Sequence, residues 1–192
     1  MAEYIDNTNL ENAEMLLKRV KDPKEVINGK QNPDGSYGQN SYLLERAIEK
    51  GNFEMVKLLL DFKADPNIRG RVGSPLELAV KLGNHQVVKL LLERGADPSK
   101  LYGILTQGVK NESYFDIVQT LIEFDAPVNL GNNMSLLSWM ATSWNKNSEK
   151  VKEILSLMVS KGAIMDDERP NEKIPEECKN FLQSIGVKVK RS

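Results

Sequence analysis

Two stretches decide the fold: R-A-I-E-K-G-N-F-E-M-V-K-L-L-L-D-F-K-A-D-P-N (46–67) and L-A-V-K-L-G-N-H-Q-V-V-K-L-L-L-E-R-G-A-D-P-S (78–99). Laid one above the other, Ala47 falls on Ala79 and Gly51-Asn52 on Gly83-Asn84. Val56-Lys57-Leu58-Leu59-Leu60 falls on Val88-Lys89-Leu90-Leu91-Leu92, and Ala64-Asp65-Pro66 on Ala96-Asp97-Pro98. The offset is about 32 residues, the scale on which one supersecondary unit recurs in a stacked array.

Elementary rules explain why these residue types recur. Ser74-Pro75 offers a helix N-cap followed by proline at the first helical position, where the missing N–H costs nothing. Leu76 and Ala79 lie on one helical face, and Ala79 is small enough for close approach of a second helix. Gly83 is expected to stop that helix, and a second one to open near His85. Val87, Val88, Leu90, Leu91 and Leu92 then give a broad apolar face for neighbouring repeats. Gly95 ends it in the left-handed conformation that glycine tolerates, and Ala96-Asp97-Pro98 leads into a hairpin-like finger.

S-P-L-E-L-A-V (74–80) resembles the T-P-L-H-x-A signature of the ankyrin repeat, and L-L-L-E-R-G-A-D-P (90–98) is similar to the end of its second helix. Glu77 stands where that family commonly has histidine. The resemblance implies an all-α fold, a solenoid of paired antiparallel helices with hairpin-like finger loops. Working outward, two weaker units follow. Residues 104–110 with 116–129 form one, with a one-residue insertion near Tyr114 and no helix-stop glycine. Residues 135–141 with 151–163 form the other, divided by a polar loop from Asn145 to Ser148. Residues 10–20 and 23–28 read as a divergent N-terminal cap, and Pro175 to Ile185 as a capping helix; solenoids need atypical, polar-faced ends. The expected organisation is a single domain over 1–192: a cap at 1–40, repeats at 41–73, 74–103, 104–134 and 135–167, and a capping helix and tail at 168–192.

Composition narrows the function. Hydrophobic residues at 40% and charged ones at 28% argue for a folded, water-compatible chain. A net charge of −1 supplies no field toward nucleic acid or an anionic membrane. Neither a signal peptide nor a membrane span is read, and the lone Cys178 excludes an intramolecular disulfide framework and cysteine-rich zinc sites, so a reducing cytoplasm is expected. His85 is the only histidine, and zinc, redox and phosphate motifs are absent; no catalytic residue, metal or cofactor is expected. Two readings stand for Asn67 of A-D-P-N. It stabilises a turn, or it occupies a position at which ankyrin proteins are hydroxylated. Cys178 reads as a buried structural thiol, with a reactive one as the alternative.

The resemblance implies binding through finger loops and the concave face of the first helices. Carried over by alignment, the candidate partner-binding residues are Arg69, Arg71, Lys81, Lys100, Leu101, Tyr102, Lys110, Asn132 and Trp144. The cations among them suggest a basic stripe facing another protein with an acidic surface, against the alternative of ordinary solubilising charge. Leu101 and Tyr102 are read as anchors at a finger tip, with coverage of the core as the alternative for Leu101. Trp139 is expected in the core, and Trp144 either in an interface or in packing. The expected function is a non-catalytic protein–protein interaction module, monomeric, acting as a host-directed effector in the host cytosol or as a signalling inhibitor. The alternative is an effector enzyme with a cryptic active site acting on a host protein. Neither nucleic acid nor a membrane is an expected partner.

Overall fold

In the residues that a computed structural model describes (9–29, 43–70, 73–101, 114–129, 136–142, 144, 148–165 and 174–188), the regular elements are helices and one isolated antiparallel bridge, Gly70–Gly73. The chain divides into two compact units, Met1–Asp97 and Pro98–Ser192. Their boundary falls inside the stretch read as the repeat 74–103.

The first unit holds α1 (Leu10–Arg19), α2 (Pro23–Asn28), α3 (Leu43–Glu49), α4 (Phe53–Asp61), α5 (Pro75–Lys81) and α6 (His85–Glu93). Each helix start that the sequence marks is built as its chemistry requires. The side chains of Asn52 and Asn84 accept from the N–H of Met55 and Val87, at 3.1 and 3.2 Å. These bonds satisfy first-turn donors that have no intrahelical partner. Ser74 closes a full capping box: Glu77 N–H donates to Ser74 Oγ at 3.1 Å and Ser74 N–H donates to Glu77 Oε2 at 3.2 Å. The glutamate at the family's histidine position therefore ties down the turn before α5 by itself. Gly83 and Gly95 adopt φ of 69° and 86°, the left-handed turns expected of them.

Packing follows the apolar pattern. α3 lies against α4 and α5, α5 against α6, α4 against α6, α1 against α4, and α2 against α3. Ala47 and Ala79 have no exposed surface, as the close approach of paired helices demands, and Val56, Leu59, Val88 and Leu91 are likewise closed off. Each buried leucine or valine contributes about 1.5–3 kcal/mol through removal from water. This is why the second-helix run V-K-L-L-L is the strongest single determinant of the stack.

The second unit holds a short 3-10 turn (Pro98–Lys100), α7 (Tyr114–Glu123), α8 (Leu136–Ala141), α9 (Ser148–Ser160) and α10 (Glu176–Ser184). The helix expected at 104–110 lies outside the described residues, as does the side chain of Trp139. α9 opens at Ser148, the residue read as the end of the preceding loop. α7 and α8 both pack on α9, with Ile117, Val118, Leu121, Ile154, Leu155 and Met158 fully buried or nearly so. The last described helix, α10, lies within the stretch Pro175 to Ile185. Cys178 on it has no exposed surface, and burial pushes its thiol up to about 11, which makes it the inert structural cysteine rather than the reactive one.

Candidate functional site

The finger of the first unit is built from glycine and carboxylate. Gly70 N–H donates to Gly73 O at 2.8 Å and closes the hairpin, whose tip, Arg71-Val72, lies outside the described residues. A Cβ on Gly70 would collide with the Glu45 carboxylate, and one on Gly73 with that of Glu77. Glu45 and Glu77 are aligned repeat positions, so the two strands of the finger rest on matching carboxylates from α3 and α5. Glu45 is buried in consequence, at 5% exposed. The sequence carried a signal for this, a glutamate at the same place in both clear units. Its burial was not readable, because it depends on how closely the finger backbone approaches.

A second device holds the turns in register. Asn67 Nδ2 donates to Gly95 O at 2.9 Å while its Oδ1 accepts from Asp97 N–H at 2.7 Å. Asn129 does the same with Gly162 O and Ile164 N–H, at 2.7 and 2.9 Å. Asn28 does it with Lys63 O and Asp65 N–H, at 3.1 and 2.9 Å. One amide thus satisfies a carbonyl and an N–H of the next exit turn. For Asn67 this is the turn-stabilising role. Asn129 follows Ala126 by the same three residues that separate Asn67 from Ala64, a signal present in the sequence. Asn28 carries no such signal.

Ion pairs join successive second helices within each unit. Arg94 meets Asp61 at 2.6 Å in the first; in the second, Lys161 meets Asp125 at 2.5 Å and Lys150 pairs with Asp116. All are at least one-third exposed on one partner and sit where solvent screens them, so they set register more than they add stability.

Of the nine candidate binding residues, two are exposed in the described structure. Arg69 sits on the finger just before Gly70, and Lys81 ends α5 in its last turn. The capping box below α5 and the Asn67 clasp beside the finger hold both backbones in place. Arg71, Tyr102, Lys110 and Asn132 lie outside the described residues, as does the side chain of Lys100. Leu101 and Trp144, each a candidate anchor with a buried alternative, are both buried. Leu101 is 1% exposed and takes the core-covering place. Trp144 is 3% exposed, its ring centroid 5.4 Å from that of Phe181 on α10, with Lys152 Nζ 5.5 Å above the ring. The physical reason is the large apolar surface of the indole, which is removed from water by packing on Phe181. Among the described residues no group of three histidine, cysteine or acidic side chains is placed to hold a metal ion, and no helix is long and apolar enough to cross a membrane.

Comparison with known proteins agrees with this geometry. A family model described as ankyrin repeats (3 copies) matches residues 2–101. An ankyrin repeat domain from Acinetobacter baumannii superposes with a TM-score of 0.68 at 20% identity, covering 97% of each chain. A second ankyrin repeat protein of known structure gives 0.60 at 16% identity, covering 95% of this chain and 94% of its own. No curated protein matches the sequence.

Proposed function

The chain belongs to the ankyrin-repeat family, and on that premise we propose that it is a non-catalytic binding module that engages one partner protein through its finger loops and the adjoining first helices. Ankyrin repeats are generally protein–protein interaction modules, and the family is generally non-catalytic. The observation that carries the reading lies in the first unit. The turns around its finger are held by the Ser74–Glu77 capping box and the Asn67 clasp, and Arg69 is exposed on that finger. A cation held on a fixed backbone costs little entropy to engage and suits an acidic protein surface. The sequence alignment puts Arg71, Lys100 and Lys110 at finger and first-helix positions as well. A role as an effector or signalling inhibitor in a reducing cytosol fits such a module, since a scaffold of this kind acts by occupying its partner.

The test is an affinity capture from cell lysate, comparing wild type with a variant in which Arg69, Arg71, Lys100 and Tyr102 are all alanine. A partner retained by wild type and lost by the folded variant supports binding through the fingers. Equal retention by both moves the site elsewhere. Dose then separates binder from enzyme: a stoichiometric module loses its effect below the partner's concentration, and substoichiometric processing of a target would overturn the proposal.

A further inference from the structure

Asn28-Gly29 is the only Asn-Gly step in the sequence. Chemically this is the dipeptide most open to self-modification, because no Cβ on Gly29 shields its amide nitrogen from the asparagine side chain. The fold places the step in an unusual setting. Asn28 is 2% exposed at the end of α2, and Gly29 behind it is buried. Both ends of the Asn28 amide are engaged, Nδ2 with Lys63 O and Oδ1 with Asp65 N–H. The same side chain that is most reactive in the open chain is the one that pins α2 to the exit turn of α4.

We infer that Asn28 is a deamidation site gated by local unfolding of α2, and that its modification acts as a one-way latch on that end of the first unit. In the closed state the side-chain amide is held by two hydrogen bonds and shielded from water. When α2 opens, the Gly29 nitrogen forms a bond to Asn28 Cγ. The Cγ–Nδ2 bond breaks, and Nδ2 leaves as ammonia carrying the proton given up by Gly29. Water then opens the resulting succinimide at either carbonyl, yielding aspartate or isoaspartate. Neither product restores the clasp. An aspartate has no N–H to offer Lys63 O and sets a carboxylate oxygen against that carbonyl in a site nearly closed to water. An isoaspartate also inserts a carbon into the backbone just before Gly29, whose φ of 76° the turn requires. Opening therefore exposes the site, and modification prevents reclosure.

The experiment incubates the full-length chain at mildly alkaline pH, with and without denaturing urea, and follows each asparagine by peptide mass spectrometry with isoaspartate detection. In urea, the peptide holding Asn28-Gly29 is expected to deamidate first. In native buffer its rate is expected to fall by at least about tenfold, because only the open fraction reacts. Equal rates in the two conditions would overturn the gate, and another asparagine leading in urea would overturn the assignment. Alongside, Asn28→Asp is expected to unfold at lower urea than wild type. An unchanged midpoint would overturn the latch. The rate comparison uses wild type alone and decides the gate even where the variant fails to fold.

Discussion

In the first unit the second helix of each pair ends on Lys63 or Gly95, and in the second on Asp125 or Gly162. All four residues adopt positive φ, at 69°, 86°, 59° and 82°. Each turn is then held by an asparagine from the preceding repeat where the bonds are described, Asn28 for Lys63, Asn67 for Gly95 and Asn129 for Gly162. The first unit carries the repeat almost letter for letter, whereas the second preserves the geometry with different residues. Asp125 takes the left-handed place as Lys63 does in the first unit, Ile164 occupies the exit-turn place of Asp97, and Lys161 replaces Arg94 as the cation of the ion pair. The difference teaches that the array is selected at the level of turn conformation and clasp, and that similarity of letters is only one way to meet it. Helix starts differ between the units too. α5 begins on a reciprocal capping box, while α10 begins on Pro175 with no side-chain cap.

The sharpest way to break this equivalence is in the core. Leu91 and Leu121 are the matching second-helix leucines of the two units, both with no exposed surface. Changing either to alanine is expected to cost about 2–5 kcal/mol, measured by urea unfolding, because each leaves a cavity in a packed layer. A loss under about 0.5 kcal/mol at Leu121, with the full loss at Leu91, would show that the divergent unit is not packed as its helices suggest.

The clasp comes next. Asn67→Ala and Asn129→Ala each remove two hydrogen bonds and leave a carbonyl and an N–H to find water. Because both side chains lie at exposed positions, a loss of about 1–2 kcal/mol is expected for each. Thermal unfolding of the two variants should therefore shift alike. A shift at Asn67 alone would confine the device to the regular unit.

The smallest effect is at the left-handed residues. Lys63→Gly is expected to stabilise by about 0.5 kcal/mol, relief of side-chain strain at positive φ being partly offset by the flexibility glycine adds to the unfolded chain. Asp125→Gly should gain less, since it also removes the exposed pair with Lys161. A loss of stability at Lys63→Gly would mean that its side chain contributes more than its backbone costs.

Much of this was legible beforehand for a simple reason: local signals and the repeat agreed. The second helices, the Ser74 cap, the glycine stops and the capping helix at 176–184 all follow from short-range rules, each readable within one or two turns. The left-handed Asp125 was not legible, because nothing in the letters marks an aspartate at the place of Gly95 as a turn residue. The candidate site was less legible. Arg69 and Lys81 are exposed, whereas Leu101 and Trp144 are closed off. An apolar side chain on a loop is an anchor or a plug according to what lies against it.

By itself, then, the sequence determined the helix pairs of the two clear repeats, their period, their starts and stops, and the family. Those properties depend on φ/ψ preference, capping and apolar spacing, which neighbouring residues settle among themselves. Tertiary structure alone decided that Trp144 rests on Phe181, that Glu45 lies buried beneath Gly70, and that Asn28 reaches the turn at Lys63 and Asp65. Each of these joins residues some 25 to 37 positions apart. Such contacts are fixed by the way helices and turns stack, and no local preference of either partner encodes them.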